Sequence, residues 1–192
     1  GHYRHRAAEG AEVLNEGLIE MDVPGTVYLN TGLSFENQGR VEERQGTLAN
    51  HGSLSNHGVV ELSSGTSLAL PSPYTQSATG TLTGSGDVEF TGGAHTLEGA
   101  YTVTGSTRVA TTVDFNTDTV FTDEVLLTGT LGGSGILTVE GTLDWSGGSL
   151  AGPGTMRVAD TGVLILSGAG YKNLNRGLEN NGTLRWTDGR FN

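Results

Sequence analysis

The stretch LANHGSLSNHGVVEL, residues 48–62, repeats one five-residue phrase after a step of six residues. The phrase Leu-x-Asn-x-Gly occupies residues 48–52 and again residues 54–58, and the apolar–polar run GVVEL follows it. Gly, and Asn more readily than most residues, tolerate left-handed backbone angles, so the third position of the phrase predicts a corner of the chain. The period of two on either side of that corner predicts short strands.

The phrase generalises to apolar-x-(Asn/Gly)-x-Gly and recurs along the chain, often 19 to 28 residues apart. Its third position predicts corners at Asn15, Asn37, Asn50, Asn56, Gly84, Gly133, Gly152 and Asn180. A second phrase, Gly-Thr-apolar-x-apolar, interleaves with it as GTVYL, GTLDW and GTLRW. Recurrence of a strand-and-corner unit at roughly 20 residues predicts an all-β, single-stranded parallel β-helix, or β-solenoid, with two or three strands per coil.

The length of the chain sets the size of this solenoid. The 192 residues allow about nine coils, which at about 4.8 Å each make a rod of about 45 Å. A β-sandwich and a propeller are the alternative all-β folds, and the Gly-rich corners could serve as the hairpin turns of a sandwich. Recurrence of the same phrase beside the same kind of strand favours stacked coils over both.

Composition excludes several classes of partner. The net charge of −11 argues against nucleic acid and against an anionic membrane surface, both of which need a basic footprint. The chain has no cysteine, which excludes disulfides and thiolate metal sites. It contains no apolar run of 18 residues, so we expect no membrane insertion in this segment.

The chain divides at the first repeat phrase. We expect residues 1–12 to form an N-terminal cap or a tag-like segment, and residues 13–192 to form the solenoid. The opening GHYRHRAAEG lacks the apolar core of a signal peptide. The end TDGRFN follows directly after a complete phrase, which suggests a segment of a longer protein.

Three long stretches resemble a known group of proteins. They are TLTGSGDVEFTGG (81–93), GTLGGSGILTVEGTLDWSGGSLAGPGTMRVADTGVLILSG (129–168) and LNRGLENNGTLRWTDG (174–189). Their pattern is similar to the repeat regions of filamentous-haemagglutinin-like and autotransporter-like bacterial adhesins, and the likeness runs from about residue 13 to the end. The resemblance implies a right-handed parallel β-helix in an extracellular or cell-surface protein, with no catalytic residues.

Two groups of residues are candidates for metal binding. His51 and His57 occupy the same slot of adjacent phrases and could share Zn²⁺, although the sequence places no third ligand beside them. Asp114, Asn116 and Asp118 match the start of a calcium loop, although Gly and Glu are missing where that loop needs them. Calcium is therefore a weak candidate, and no other cofactor is expected.

Other patterns suggest further chemistry. A β-helical glycoside hydrolase or lyase would need paired carboxyls or a base with a cation, for which Asp114, Asp118, Asp123 and Arg108 are the candidates. Trp145 and Trp186 follow the same Gly-Thr-Leu phrase and should occupy equivalent places in different coils, either in the core or as a sugar-stacking platform. Threonine after the corner glycines fits strand stacking better than an ice-binding array.

We therefore expect a structural or adhesive segment of a bacterial secreted or surface protein, an elongated shaft without enzymatic activity. One alternative is a carbohydrate-active β-helix module that binds or cleaves polysaccharide. Another is a subunit that assembles end to end into a filament. The expected partners are a host or surface glycan or protein, or a second copy of the chain.

Overall fold

The structure is a computed structural model that describes residues 10–192, and every regular element in that range is a β-strand. In chain order these are β1 (Ala11–Asn15), β2 (Leu18–Leu29), β3 (Leu33–Asn37), β4 (Arg40–Asn50), β5 (Ser53–Asn56), β6 (Val59–Leu62), β7 (Ser67–Leu70), β8 (Tyr74–Gln76), β9 (Thr81–Gly84), β10 (Asp87–Phe90), β11 (Ala94–Leu97), β12 (Ala100–Val103), β13 (Thr107–Val109), β14 (Thr112–Phe115), β15 (Thr119–Phe121), β16 (Glu124–Leu127), β17 (Thr130–Gly132), β18 (Leu137–Val139), β19 (Thr142–Trp145), β20 (Ser149–Leu150), β21 (Thr155–Val158), β22 (Val163–Leu166), β23 (Tyr171–Leu174), β24 (Gly177–Asn180), β25 (Thr183–Trp186) and β26 (Arg190–Phe191). Within residues 10–192, no helix is available to cross a bilayer.

The strands wind into coils with three faces. The first face is the stack β1-β3-β5-β8-β11-β14-β17-β20-β23-β26. The second face holds the first halves of β2 and β4, then β6, β9 and β12, and continues with β15, β18, β21 and β24. The third face holds the second halves of β2 and β4, then β7, β10, β13, β16, β19, β22 and β25. All the pairings are parallel, which confirms the β-solenoid of about nine coils.

Each coil begins on the first face, so coil 1 begins with β1, coil 9 begins with β23, and β26 starts a tenth. The turn between the first and the second face of a coil is called the first corner. The turn between the second and the third face is the second corner, and the turn from the third face to the first face of the next coil is the third corner. The nine coils span about 43 Å at about 4.8 Å per rung.

The core is made of side-chain columns that run along the axis. On the third face, for example, Leu143 lies opposite Val125 on one side and Leu164 on the other. Alternate residues of each strand point inward, and the inward ones are buried from coil 2 to coil 8. Full burial of one such aliphatic side chain contributes about 1.5–3 kcal/mol, so the columns are the main source of stability.

Within residues 10–192, coil 1 has no coil before it and coil 9 has only β26 after it. Val13 and Trp186, which belong to inward columns, are 40% and 52% exposed. The predicted boundary at residue 12 falls inside a strand, since β1 begins at Ala11. The rest of the predicted cap, residues 1–9, lies outside the described part of the chain.

Candidate functional site: corners and surface groove

A buried asparagine ladder lines the first corner of coils 1 to 3. Asn15 donates its side-chain amide to Asn37 Oδ1 at 2.7 Å, and Asn37 donates in turn to Asn56 Oδ1 at 2.8 Å. The second N–H of each amide bonds a backbone carbonyl beyond the corner, that of Arg40 and of Val59 respectively, both at 3.1 Å. Each amide therefore ties its own coil to the next and also fixes the turn.

Glutamine extends this ladder into coil 4. Gln76 lies opposite Asn56 in the parallel register and is buried. Its amide nitrogen donates to the carbonyls of Ala100 (2.9 Å) and Gly80 (3.3 Å), and its oxygen accepts from the Tyr74 hydroxyl at 2.7 Å. In coil 5 the same column becomes apolar, with Leu97 opposite Gln76.

The asparagines do not turn the chain by the mechanism expected from the sequence. Among the described residues, no residue other than glycine has positive φ, so the asparagine corners use ordinary backbone angles and act through their side chains. Gly84, Gly133 and Gly152 do adopt the left-handed region, with φ of 116°, 98° and 89°. A Cβ on Gly133 would also collide with the carbonyl oxygen of Phe115 in the coil before it.

The copies of the phrase end strands on all three faces. Asn15, Asn37 and Asn56 end first-face strands, and Gly133 and Gly152 lie one and two residues after the ends of first-face strands. Asn50 ends the third-face half of β4, is fully buried, and accepts from the Gly52 amide at 3.2 Å. The remaining two, Gly84 and Asn180, end second-face strands, and Asn180 is exposed because it lies in coil 9.

A buried arginine lies at the first corner near the C-terminal end of the stack. Arg176 in coil 9 is 8% exposed, and its Nη2 donates to the carbonyl of Gly135, two coils away, at 2.8 Å. A Cβ on Gly154 would collide with Arg176 Nη2, so the glycine at that corner leaves the space that the guanidinium occupies. Burial lowers the pKa of Arg176, an effect that the charge of Asp114 partly opposes.

The weak calcium candidate is spread along this same corner. Asp118 Oδ1 accepts from the Ile136 amide at 2.8 Å, and Asn116 Oδ1 accepts from the Ser134 amide at 3.2 Å. Asp114 lies on the first face, in β14. Two of the three residues therefore cap the backbone of the next coil, and calcium binding there stays a prediction. Within residues 10–192, no three His, Cys, Asp or Glu side chains gather as a metal site.

The two histidines of the repeated phrase lie at different corners. The His51 amide bonds the Leu29 carbonyl at the third corner, whereas the His57 amide bonds the Asn37 carbonyl at the first corner. Both side chains are exposed, and the His51 ring packs 5.8 Å from that of Tyr28. The structure thus separates the proposed zinc pair by one strand, β5.

The residues considered for hydrolase or lyase chemistry are spread over several faces and corners of the coil. Asp114 is on the first face and Asp118 at the first corner, whereas Asp123 follows a second-face strand. Arg108 is on the third face, opposite Glu89 and Leu126. Four groups placed on different sides of the coil do not form one catalytic constellation.

The two tryptophans belong to one column, as the shared phrase predicts. Trp145 and Trp186 lie on opposite sides of Leu166, two coils apart. Trp145 is fully buried, whereas Trp186 is in the last coil and packs edge-on against Phe191 at 5.0 Å. Their inward direction indicates a packing role.

Glu43 and His95 are also buried ionisable groups that were not anticipated from the sequence. Glu43 lies where β4 bends, and burial raises its pKa to about 8. The nearby backbone amides of Leu48 and Ser67 partly counter this rise in pKa, although neither forms a hydrogen bond with the carboxylate. Burial lowers the pKa of His95 to about 4, and this ring packs 4.9 Å from Phe90 with no hydrogen bond to either nitrogen. The alternation of β4 and β11 assigns both to inward positions, which is the signal that could have revealed them.

A surface groove of about 330 Å³ lies at the first corner of coils 3 to 5. His57, Ser77 and Glu98 line it in a column, since each backbone amide bonds the carbonyl of the ladder residue one coil before. Thr75 and Thr96, adjacent on the first face, complete the side of the groove. Of the residues that line this groove, the sequence singled out only His57.

Comparison of the chain with protein-family models, curated proteins and solved structures finds no match in any of the three. The resemblance to bacterial adhesin repeats therefore rests on the repeat phrases alone and stays a prediction.

Proposed function

We propose that this chain is a shaft segment of an elongated bacterial surface or secreted protein, and that its work is to hold other parts at a distance and to bear load. The observation that carries the proposal is the parallel stack of nine coils, in which the first and third faces are continuous sheets and the inward columns are buried. Such a stack is built from repeated contacts between neighbouring coils, so it can be lengthened without new long-range contacts.

The distribution of polar groups supports a structural role. The buried amides of Asn15, Asn37 and Asn56 are used between coils, and so is the guanidinium of Arg176. On the second face, Arg40 bridges Glu42 and Glu61, and Arg44 bridges Glu20 and Glu42, so charged groups also join successive coils. These residues form the polar contacts that hold neighbouring coils together.

Surface exposure in the parent cell tests the proposal. An antibody raised against the chain should detect it in the outer-surface or secreted fraction, and protease added to intact cells should remove the signal. A cytosolic enzyme probed in the same cells is the control and should survive. Recovery of the chain with that control, protected from protease, would contradict the proposal.

End-to-end self-association is a second candidate, favoured by the exposed strands of coil 9. Within residues 10–192, β24 and β25 are paired on one side only, and their inward Leu178, Leu184 and Trp186 are half-buried or exposed. Unpaired strands with apolar inward residues are sites of strand addition. Sedimentation velocity of the wild type should then show concentration-dependent oligomers that Leu184→Lys abolishes; a monomer at all concentrations would contradict this candidate.

A further inference from the structure

We propose that the groove at the first corner of coils 3 to 5 binds a neutral sugar residue through His57, Ser77 and Glu98. The inference goes beyond the shaft function and does not depend on it, because the core columns are complete without these side chains. It follows from how the groove forms, which groups line it and which ligands those groups exclude.

The groove exists because a small residue stands between two large ones. His57, Ser77 and Glu98 are stacked on successive rungs, so His57 and Glu98 stand about 10 Å apart along the axis. The short Ser77 side chain leaves a gap between them. The corner of coil 4 is also longer than its neighbours, and its Gly80 amide turns back to the Ser77 carbonyl at 2.9 Å.

The groups around the gap suit a ligand rich in hydroxyls. The side chains of His57 and Glu98 are exposed and make no hydrogen bond or ion pair within residues 10–192. Glu98 offers a carboxylate acceptor, and His57 offers one donor and one acceptor when neutral. The Thr96 hydroxyl can both donate and accept, whereas the hydroxyls of Thr75 and Ser77, which already bond those of Ser55 and Thr79 at 3.1 Å, keep lone pairs that accept.

The same groups disfavour other ligands. Glu98 and the net charge of −11 repel phosphates and acidic sugars. The groove side chains include no large apolar residue, so a lipid or an aromatic ligand would gain little by entering. A divalent cation would find one carboxylate and one imidazole on separate rungs, short of the four ligands that zinc usually takes.

The volume limits the size of the ligand. About 330 Å³ is at the lower end of the usual range of ligand pockets, about 300–1,000 Å³. The groove therefore suits one or two rings of a neutral glycan, and its open shape predicts weak binding that many copies on a surface would strengthen.

Two-dimensional NMR of the isotopically labelled chain tests the inference. The probes are glucose, galactose, mannose, N-acetylglucosamine and their disaccharides, with glucuronate and Zn²⁺ as competing classes. At least one neutral sugar should shift the amide signals of Ser77 and Glu98 and the ring signals of His57 in a saturable way. Glu98→Gln and His57→Ala should each weaken that binding about tenfold, since each removes a polar partner of the sugar.

His51→Ala is the matched control, because His51 is the equivalent histidine of the neighbouring phrase and lies at another corner. It should bind the sugar like the wild type, and the spectra themselves report that all three variants are folded. The inference is overturned if no neutral sugar gives a saturable shift, if only Zn²⁺ or glucuronate does, or if Glu98→Gln and His57→Ala bind like His51→Ala. None of these outcomes bears on the surface-exposure test of the shaft.

Discussion

At the scale of single residues, this chain uses asparagine for its side chain rather than for its backbone. Asn37 is fully buried and satisfies its amide through Asn15, Asn56 and the Val59 carbonyl. The repeated Leu-x-Asn-x-Gly phrase correctly predicted a strand end, but backbone propensity alone suggested a left-handed turn. The ladder could not be foreseen because it depends on the register between coils, which is set by the whole stack.

Replacing Asn37 with Ala should destabilise the protein by about 3 kcal/mol, because one N–H of the Asn15 amide, the Asn56 oxygen and the Val59 carbonyl each lose the hydrogen bond that Asn37 makes with them. Urea denaturation followed by circular dichroism measures the effect. Asn181→Ala, at an exposed position in coil 9, is the control and should change the stability by less than about 0.5 kcal/mol. Equal stability of the two variants would show that the ladder contributes nothing.

Glu43 makes stability depend on pH. Its pKa is raised from the usual 4.5 to about 8 in the folded protein, so the folded state holds a proton that the unfolded state has lost. Its contribution is therefore complete below about pH 4.5 and is lost as the pH rises through 8. Glu43→Gln should remove this dependence, which amounts to at most about 1.4 kcal/mol per pH unit.

The measurement for Glu43 is the urea midpoint of wild type and variant between pH 5 and pH 9. The stability of Glu43→Gln relative to the wild type should rise from pH 5 to about pH 8 and then level off. Glu140→Gln, at an exposed position at the second corner, should run parallel to the wild type. A constant difference between Glu43→Gln and wild type would place the Glu43 pKa at its ordinary value.

At the scale of strands and corners, the first corner depends on two kinds of residue: glycines that allow the close backbone turn, and long buried side chains that form hydrogen bonds between coils. Periodicity predicted the strands and the glycine corners well, because both are local properties of the chain. The role of Arg176 could not be predicted, because its guanidinium donates to the carbonyl of Gly135, 41 residues earlier in the chain. The local sequence is that of an ordinary surface arginine. The groove escaped prediction for a similar reason, because His57, Ser77 and Glu98 meet only through coil stacking.

Gly133→Ala tests whether coils stack as closely as the structure shows. Alanine there meets both a positive φ of 98° and the Phe115 carbonyl of the coil before it, so we expect a loss of at least about 2 kcal/mol. Gly170→Ala is the matched control, because a Cβ there has open space and the backbone is not left-handed. Thermal unfolding should separate the two variants, and equal melting temperatures would mean that the coils are not in contact at Gly133.

At the scale of the whole molecule, stability is a sum over contacts between neighbouring coils. The inward columns are continuous from coil 2 to coil 8, and only the end coils expose part of theirs. Sequence spacing predicted the number of coils because each coil repeats one unit.

Pulling on the two ends of the chain should peel the coils off in steps. Each coil holds about 20 residues, so optical tweezers should record increments of about 70 Å in contour length. Steps of this size follow because the strand pairings join each coil only to its neighbours. A single cooperative rupture of the whole chain would contradict a repeat-by-repeat architecture.

The distance between spin labels along one face tests the central claim most directly. The chain has no cysteine, so pairs can be introduced at outward second-face positions Glu61, Thr83, Thr138 and Glu179, in coils 3, 4, 7 and 9. Pulsed electron paramagnetic resonance should give separations that rise by about 4.8 Å per coil, from about 14 Å for Thr83–Thr138 to about 24 Å for Thr83–Glu179 and about 29 Å for Glu61–Glu179. Separations that do not increase with the number of intervening coils would contradict the parallel stack and the shaft built on it.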